Sequence, residues 1–173
     1  MNGADRADLP KSPPDFRILR GKTNEFMRIY EATEPSDLLA EAFARLLPQL
    51  SERMTAPDRE AVARIVASPA TRQLVAAAED GRIVGERIVG VLTLAWYDAP
   101  SGRKAWIEDV VVDAATRGRG IGEALVREAL ALARREGVAR VMLTSNATRR
   151  AAHRLYERMG FVRYETDCFR LDL

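Results

Sequence analysis

The sequence has few of the residues that build covalent and metal-centred sites. It contains one cysteine, Cys168, and one histidine, His153. A single cysteine excludes an internal disulfide and a cysteine-based metal cluster. Cys168 is also a weak candidate nucleophile, because the lone histidine offers no obvious partner to activate it. We therefore expect no metal, and we look for the chemistry in other side chains.

Long hydrophobic runs are also missing. No apolar stretch approaches the roughly 20 residues that a membrane-spanning helix needs. Residues 1–20, MNGADRADLPKSPPDFRILR, include no hydrophobic segment of the kind found in secretion signals. These absences predict a cytoplasmic protein that does not enter a membrane.

The chain has no large excess of charge of either sign. Its net charge is only +2, and aromatic residues make up 6% of it. Nucleic-acid-binding domains are usually strongly basic, and those that bind single strands interleave aromatic side chains with the basic ones. The composition therefore argues against a nucleic-acid partner. Arginines nevertheless outnumber acidic residues between Asp113 and Arg163, and a local positive field there favours a polyanionic ligand.

The length of 173 residues suits one domain with a single core. Residues 1–25 show little apolar periodicity and predict a flexible arm, with the domain spanning residues 26–173. Patterns within the domain predict the order β-α-α-β-β-β-α-β-α-β, including a helix from Pro57, a turn at Asp80-Gly81 and closing strands from Phe161. This order indicates an α/β fold, a mixed sheet with helices on both sides.

The most regular helical pattern lies between residues 120 and 136. At about 100° per residue, its apolar residues fall on one half of the helical wheel, and Gly137 then ends the helix. The apolar half contains Ile121, Ala124, Leu125, Val126, Ala129, Leu130, Leu132 and Ala133. We therefore predict an amphipathic helix packed on the sheet. A final helix is predicted to be capped by Asn146 and to run to about Met159.

A glycine-rich loop precedes the amphipathic helix. In residues 110–122, VVVDAATRGRGIG, glycines alternate at positions 118, 120 and 122. Glycine lets the chain turn with no side chain in the way. A helix N-terminus presents unpaired N–H groups and a partial positive charge, and Arg117 and Arg119 add charge beside it. This combination predicts a phosphate-binding site.

Two common phosphate loops do not match this segment. A Walker loop ends in Gly-Lys-Ser/Thr, but here Gly122 is followed by Glu123. A dinucleotide-binding loop requires Gly or Ala where Glu123 stands. It also requires an acidic ribose ligand after the next strand, which here ends in Thr-Ser-Asn at residues 144–146. The loop therefore belongs to another class of phosphate site.

The loop resembles the signature of the GNAT superfamily of N-acetyltransferases: Arg or Gln, two residues, Gly, one residue, then Gly or Ala. Arg117, Gly120 and Gly122 occupy these positions, and the resemblance extends over about residues 106–164, through IEDVVVDAATRGRGIG and SNATRRAAHRLYERMGF. It implies a GNAT-like fold, a central mixed and splayed β-sheet flanked by about four helices. It also implies acetyl-CoA as the acyl donor and a small-molecule or peptide amine as the acceptor.

The resemblance assigns a role to each part of this segment. The N–H groups of residues 117–123 would cradle the pyrophosphate of CoA, and the backbone of residues 110–112 would pair with the pantetheine arm like an added strand. The N–H of Val110 would also point at the thioester oxygen and stabilise the oxyanion. The implied cofactor-binding residues are Val110, Val111, Val112, Arg117, Gly118, Arg119, Gly120, Ile121, Gly122, Glu123 and Asn146.

Two residues are candidates for proton transfer. Tyr156 matches the tyrosine that protonates the departing thiolate in many family members, and helical geometry places it at the edge of the apolar face of its helix. Glu108 is the candidate base, since it lies two residues before Val110 on the same strand. Glu108 has alternative roles: binding the acceptor, relaying protons through water, or balancing nearby arginines. Asp109 is an alternative base.

More than one function stays open at this point. An N-acetyltransferase is expected because Tyr156 and Glu108 are both present, whereas a sensor that binds acyl-CoA would keep the loop without turnover. A narrower alternative is an amino-sugar phosphate N-acetyltransferase, since that branch of the family has a Glu-Asp pair where Glu108 and Asp109 stand. The sequence does not identify the acceptor, and it is compatible with both a monomer and a homodimer.

Overall fold

A computed structural model describes residues 17–20, 26–79 and 86–172 of the protein. Six strands form one sheet in the order of the chain. They are β1 (Arg17–Arg20), β2 (Phe26–Glu31), β3 (Thr71–Glu79), β4 (Arg87–Ala99), β5 (Gly102–Val112) and β6 (Arg140–Met142). The helices are α1 (Asp37–Leu50), α2 (Arg59–Ala67), α3 (Ile121–Arg135) and α4 (Arg150–Arg158). Neighbouring strands from β1 to β5 are antiparallel and β6 is parallel to β5, which confirms the predicted mixed sheet.

The two ends of the domain differ from the predicted order. β1 is a strand within the segment predicted to be an arm, and it pairs with β2. The rest of that segment and the turn predicted at Asp80-Gly81 lie outside the described residues. Residues 161–172 form neither a helix nor a strand, so the prediction of closing strands from Phe161 is wrong. Alternating apolar residues form a strand only where another strand receives their backbone hydrogen bonds, and none pairs with this segment in the described structure.

Side-chain caps set where the first two helices begin. The Ser36 hydroxyl accepts a backbone N–H at 3.2 Å and caps α1. α2 begins at Arg59 and not at Pro57, because the Asp58 carboxylate accepts a backbone N–H at 2.7 Å. An aspartate at this position satisfies one of the N–H groups that the first turn leaves open.

Each face of the sheet carries its own apolar core. On one face lies α3, whose buried residues are those that the periodicity placed on its apolar half, with Leu130 partly buried. On the other face, α1 and α2 pack through Phe43, Leu46 and Val62 against Val111 and its neighbours in the sheet. Burying a large apolar side chain contributes about 1.5–3 kcal/mol, so these two layers provide the main stabilisation of the sheet.

A buried carboxylate connects α1 to the end of β5. Asp113 is 6% exposed and accepts hydrogen bonds from Arg45 of α1 and, at 3.2 Å, from Arg87. Arg45 also donates to a backbone carbonyl of β4 at 2.5 Å. One turn along α1, the side-chain oxygen of Gln49 accepts the N–H of Ala114 at 2.8 Å. α1 therefore holds the chain just before the glycine loop.

Replacing Asp113 with alanine should lower the free energy of unfolding by about 2–3 kcal/mol, because two guanidinium groups lose their partner. The loss stays below that of a fully buried pair, since Arg45 and Arg87 are 31% and 44% exposed. Urea unfolding measures it. The control Asp172→Ala removes an exposed pair with Arg170 and should change the free energy by less than about 0.5 kcal/mol. Equal free energies of unfolding for the two variants would contradict the role of Asp113 in connecting α1 to the end of β5.

Candidate active site

β5 and β6 separate soon after they begin to pair. β6 pairs with β5 only at Lys104, Ala105 and Trp106. Over residues 107–112 the outer edge of β5 has no strand beside it among the described residues. Alternate N–H and C=O groups of this segment therefore face a gap, where an extended ligand can pair with them. This separation confirms the splayed sheet.

A cavity of about 890 Å³ opens in the gap. Its walls come from β5, from the glycine loop with the start of α3, from α4 and from the C-terminal end of α1. Its lining includes Glu108, Asp109, Val110, Val111, Val112, Arg117, Gly118, Gly120, Ile121, Gly122, Glu123, Tyr156 and Arg158. Strand backbone on one side and arginines on another suit an elongated anionic ligand.

A β-bulge interrupts β5 within this cavity. Thr93 pairs with Glu108 but Val91 pairs with Val111, so β5 has one extra residue between the two pairs. Asp109 lies there with a φ of 50°, a left-handed conformation that no other non-glycine residue of the described chain adopts. This conformation costs about 1–2 kcal/mol for a residue with a side chain, and such strain concentrates at functional sites. The bulge bends the strand at the point where β5 leaves β6.

The glycine loop has the backbone conformation that its sequence predicts. Gly118 and Gly120 have φ values of 79° and 80°, and a Cβ at either position would meet nothing within 4 Å. The left-handed backbone thus requires glycine, while the space outside the loop is open to a ligand. Gly122 serves packing instead, since a Cβ there would lie 3.3 Å from the Leu155 side chain of α4.

The N-terminus of α3 opens into the cavity without a side-chain cap. Gly120 is its N-cap residue and makes no capping hydrogen bond. The N–H groups of the first turn have no partner within the helix, and the helix dipole adds positive potential. Arg117 lies beside them, held by a 3.1 Å hydrogen bond from its Nε to the carbonyl oxygen of Val112. The structure therefore brings together the groups from which the sequence predicts an anion site.

Two of the predicted cofactor-binding residues are not among those that line the cavity: Arg119 and Asn146. Asn146 is exposed, and its side-chain oxygen accepts hydrogen bonds from the N–H and hydroxyl of Thr148 at 2.9 and 2.8 Å. It does not cap α4, because that helix begins at Arg150 with Arg149 as its N-cap residue. The prediction of the cap is wrong since Asn146 stabilises a turn before the helix instead.

Tyr156 lies on the cavity wall at the edge of α4. Its ring is half-buried and packs edge-to-face against Phe161, with 5.8 Å between the centroids. Burial raises the pKa of its phenol, and the nearby Arg149 offsets part of that rise. Like an ordinary tyrosine, this phenol is protonated at neutral pH and so carries a proton that it can donate.

Two adjacent carboxylates of β5, Glu108 and Asp109, also line the cavity. Desolvation raises the pKa of Glu108, and the charge of Asp109 raises it further. Burial alone raises the pKa of Asp109. Each can be ionised at neutral pH and accept a proton more readily than an ordinary surface carboxylate. The structure therefore brings both candidate bases and Tyr156 to one cavity.

The C-terminal end of α1 also lines the cavity, and sequence reasoning missed it. Gln49, Leu50, Ser51 and Met54 all contribute to the wall. Arg149 donates a 2.7 Å hydrogen bond to the Leu50 carbonyl and so connects α1 to α4. These residues carry no motif, and only their position after a buried helix brings them to the site. No feature of the sequence alone could have identified them.

Comparison with known proteins agrees with this architecture. A family model described as the acetyltransferase (GNAT) family matches residues 25–161, which include the sheet from β2 onward and all four helices. The chain therefore belongs to the GNAT family and is an N-acetyltransferase, as its resemblance to that family implied. Its acceptor is not identified by this match.

Individual relatives cover most of the chain. The rice (Oryza sativa subsp. japonica) protein "Probable glucosamine 6-phosphate N-acetyltransferase 2" is 33% identical over 141 residues, 79% of this chain and 81% of the relative. A solved acetyltransferase from Trypanosoma brucei has a TM-score of 0.67 at 29% identity and covers 85% of this chain and 99% of its own. An aminoglycoside acetyltransferase from an uncultured soil metagenomic sample, in complex with trehalose, has a TM-score of 0.70 at 20% identity, with 85% and 96% covered. At that identity the likeness shows the fold alone.

Two kinds of feature are absent from the described residues. Among them, no helix has both the length and the apolar character needed to cross a membrane. They also contain no group of three or more His, Cys, Asp and Glu residues arranged to hold a metal ion.

Gly120→Val should abolish binding of acetyl-CoA, the donor that the family implies, because a β-branched side chain cannot adopt the loop conformation and would fill the cradle. Calorimetric titration measures the loss. Gly137→Val is the matched control, since Gly137 has a φ of 69° with nothing within 4 Å of its Cβ. The control carries a comparable strain of about 1–2 kcal/mol and should bind acetyl-CoA normally. Unchanged affinity in a folded Gly120→Val variant would place the phosphate site elsewhere.

Proposed function

We propose that this enzyme binds acetyl-CoA in the cavity between β5, the glycine loop and α4, and transfers the acetyl group directly to a primary amine there. One observation carries the proposal: three features line the same cavity. They are a glycine loop at a helix N-terminus, an unpaired strand edge, and the side chains Tyr156 and Glu108. Together they offer an anion site, a partner for an extended chain and two proton-transfer groups.

The donor is held mainly by backbone in this proposal. Its pyrophosphate lies against the N–H groups of residues 117–123, next to the guanidinium of Arg117. Its pantetheine arm lies along the free edge of β5 and pairs with the backbone of residues 110–112. The N–H of Val110, beside the bulge, donates to the thioester oxygen and stabilises the negative charge that develops there. No atom lies within 4 Å of a Cβ at Gly118 or Gly120, which leaves room for a phosphate group beside the loop.

Two proton movements complete the transfer. The amine must be neutral before its lone pair can attack the thioester carbon, and Glu108 accepts the proton that it releases. The bond between the carbonyl carbon and sulfur then breaks, and Tyr156 donates its phenolic proton to the departing thiolate. Desolvation and the charge of Asp109 raise the pKa of Glu108 and make it a stronger base, which supports its role. The phenol of Tyr156 is protonated at neutral pH, as the donor in this step must be.

Single-turnover loss of acetyl-CoA in the presence of a panel of amines tests the proposed function. Glucosamine 6-phosphate belongs in that panel because the rice relative carries it in its name. Thiol release that depends on an added amine supports the transferase. Tight acetyl-CoA binding without turnover of any amine would instead indicate a sensor. The cytoplasmic location and the monomeric or homodimeric state stay predictions.

Glu108→Gln should lower kcat by about 10²–10⁴-fold at neutral pH, since the amide cannot accept the proton. In the wild type, activity falls as the pH drops through the raised pKa of Glu108 and the carboxylate becomes protonated. The variant should lose this acidic limb. A pH profile of kcat at saturating acceptor measures both effects, and Glu34→Gln, outside the cavity, is the control. A rise in KM with kcat intact would assign Glu108 to acceptor binding instead.

Tyr156→Phe should lower kcat by at least about tenfold, the low end for a general acid, because a thiolate leaves tolerably well unaided. The variant keeps the ring and its packing on Phe161. The free energy of unfolding should therefore change little, and acetyl-CoA affinity should stay within a few-fold of the wild type. The comparison requires an acceptor for which chemistry limits turnover. Tyr164→Phe is the control: it removes a hydroxyl from an exposed ring and should leave kcat unchanged. A Tyr156→Phe enzyme with wild-type kcat would leave water as the proton donor.

A further inference from the structure

A second cavity, of about 460 Å³, lies on the face of the sheet that α1 and α2 cover. Phe43 and Leu47 of α1 and Ala61 and Ile65 of α2 supply its apolar walls. We call the cavity between β5, the glycine loop and α4, the proposed acetyl-CoA site, the donor cavity. The two cavities share one lining residue, Asp109. The bulge in β5 therefore carries a single carboxylate to the junction of the two cavities.

The Asp109 carboxylate has no partner in the described part of the chain. Neither a hydrogen bond nor an ion pair reaches it, although it is half-buried and its backbone is held in a left-handed conformation. Desolvation raises its pKa, which is the behaviour of a carboxylate that lacks a compensating cation. A cation that enters from either cavity would supply that missing partner.

Two polar side chains in the lining of the second cavity, Gln73 and Thr93, are already hydrogen-bonded within the protein. Gln73 is 2% exposed and donates from Nε2 to the carbonyl oxygens of Leu92 and Leu74 at 3.2 and 3.3 Å. The Thr93 hydroxyl donates to the side-chain oxygen of Gln73 at 2.8 Å. These groups offer little to a ligand rich in hydroxyls, because their donors are in use.

The charges around this cavity are few. Arg64 is the cation in its lining, but it is 65% exposed and lies 3.0 Å from Glu60 in an ion pair. A phosphate group would therefore find no desolvated, unpaired cation there. A polyamine would find one carboxylate, Asp109, for its several ammonium groups. Apolar walls with one carboxylate at the inner end suit a ligand that carries one amine on an apolar body.

We propose that the second cavity holds the acceptor, and that the acceptor is a small monoamine with an apolar body whose ammonium group binds to Asp109. This inference rests on the proposed function, since the bound amine would lie at the entrance to the donor cavity. Asp109 here binds and orients the amine, and Glu108 beside it accepts the proton. This class of acceptor differs from the amino-sugar phosphate and the aminoglycosides that appear in the names of the similar proteins.

Two experiments test the inference: a comparison of acceptors, and a substitution that fills the cavity. 2-Phenylethylamine should have a kcat/KM at least about tenfold above that of glucosamine 6-phosphate or kanamycin, because apolar walls and one carboxylate discriminate against their charges. Ala61→Phe should raise the KM for 2-phenylethylamine at least about tenfold by filling the cavity, with acetyl-CoA affinity unchanged. Ala67→Phe is the control, since Ala67 is an exposed residue of the same helix and does not line the cavity.

Asp109→Asn is a second variant that keeps the backbone, because asparagine tolerates the left-handed conformation. It should raise the KM for 2-phenylethylamine about tenfold or more, since a neutral amide cannot pair with the ammonium group. Preference for glucosamine 6-phosphate or kanamycin would overturn the inference. So would an unchanged KM in both Ala61→Phe and Asp109→Asn.

A calorimetric titration of 2-phenylethylamine into the complex with CoA separates this inference from the proposed function. Binding that Ala61→Phe weakens, without turnover of any amine, would uphold the second cavity as a site for an apolar amine and contradict the proposed transfer. Turnover of other amines, with no binding of 2-phenylethylamine, would uphold the transferase and overturn the inference. Absence of both binding and turnover would contradict both.

Discussion

The separation of β5 from β6 is the constraint on which the site depends. Backbone N–H and C=O groups buried without partners destabilise a fold, so the exposed edge of β5 needs either water or a ligand. Three paired residues hold β6 in place, and beyond them the gap opens on the side toward α4. The cavity lined by β5, the glycine loop and α4 occupies this gap, and its shape follows from where the pairing stops.

The gap persists because other elements hold its walls apart. Arg45 and Gln49 of α1 bind the segment at Asp113 and Ala114, and the carbonyl of Leu50 receives a hydrogen bond from Arg149 at the start of α4. The glycine loop and α4 are thus both anchored to one helix. Gly122 lets α4 approach the start of α3 closely enough for their side chains to pack. α1, a helix of the apolar core, therefore also positions the glycine loop and α4.

Side chains of β5 alternate between the two faces of the sheet, and the bulge interrupts this alternation. Val110 and Val112 pack toward the core that contains α3, whereas Val111 packs toward α1 and α2. The inserted residue, Asp109, does not follow this alternation between faces, and it lines both cavities. In our proposals the donor lies on one side of this residue and the acceptor on the other. In these proposals the strained backbone at Asp109 would bring the two substrates together at one carboxylate.

The sequence by itself determined the helices with strong apolar periodicity, the order of the central strands, and the glycine loop, because these depend on local spacing and backbone conformation. It also placed Tyr156 and Glu108 in a family pattern. Only the tertiary structure decided where β6 stops pairing, that residues 161–172 find no strand partner, and that Asn146 stabilises a turn. The end of α1 and the second cavity also emerged only there. These features depend on contacts between segments distant along the chain, which local patterns do not encode.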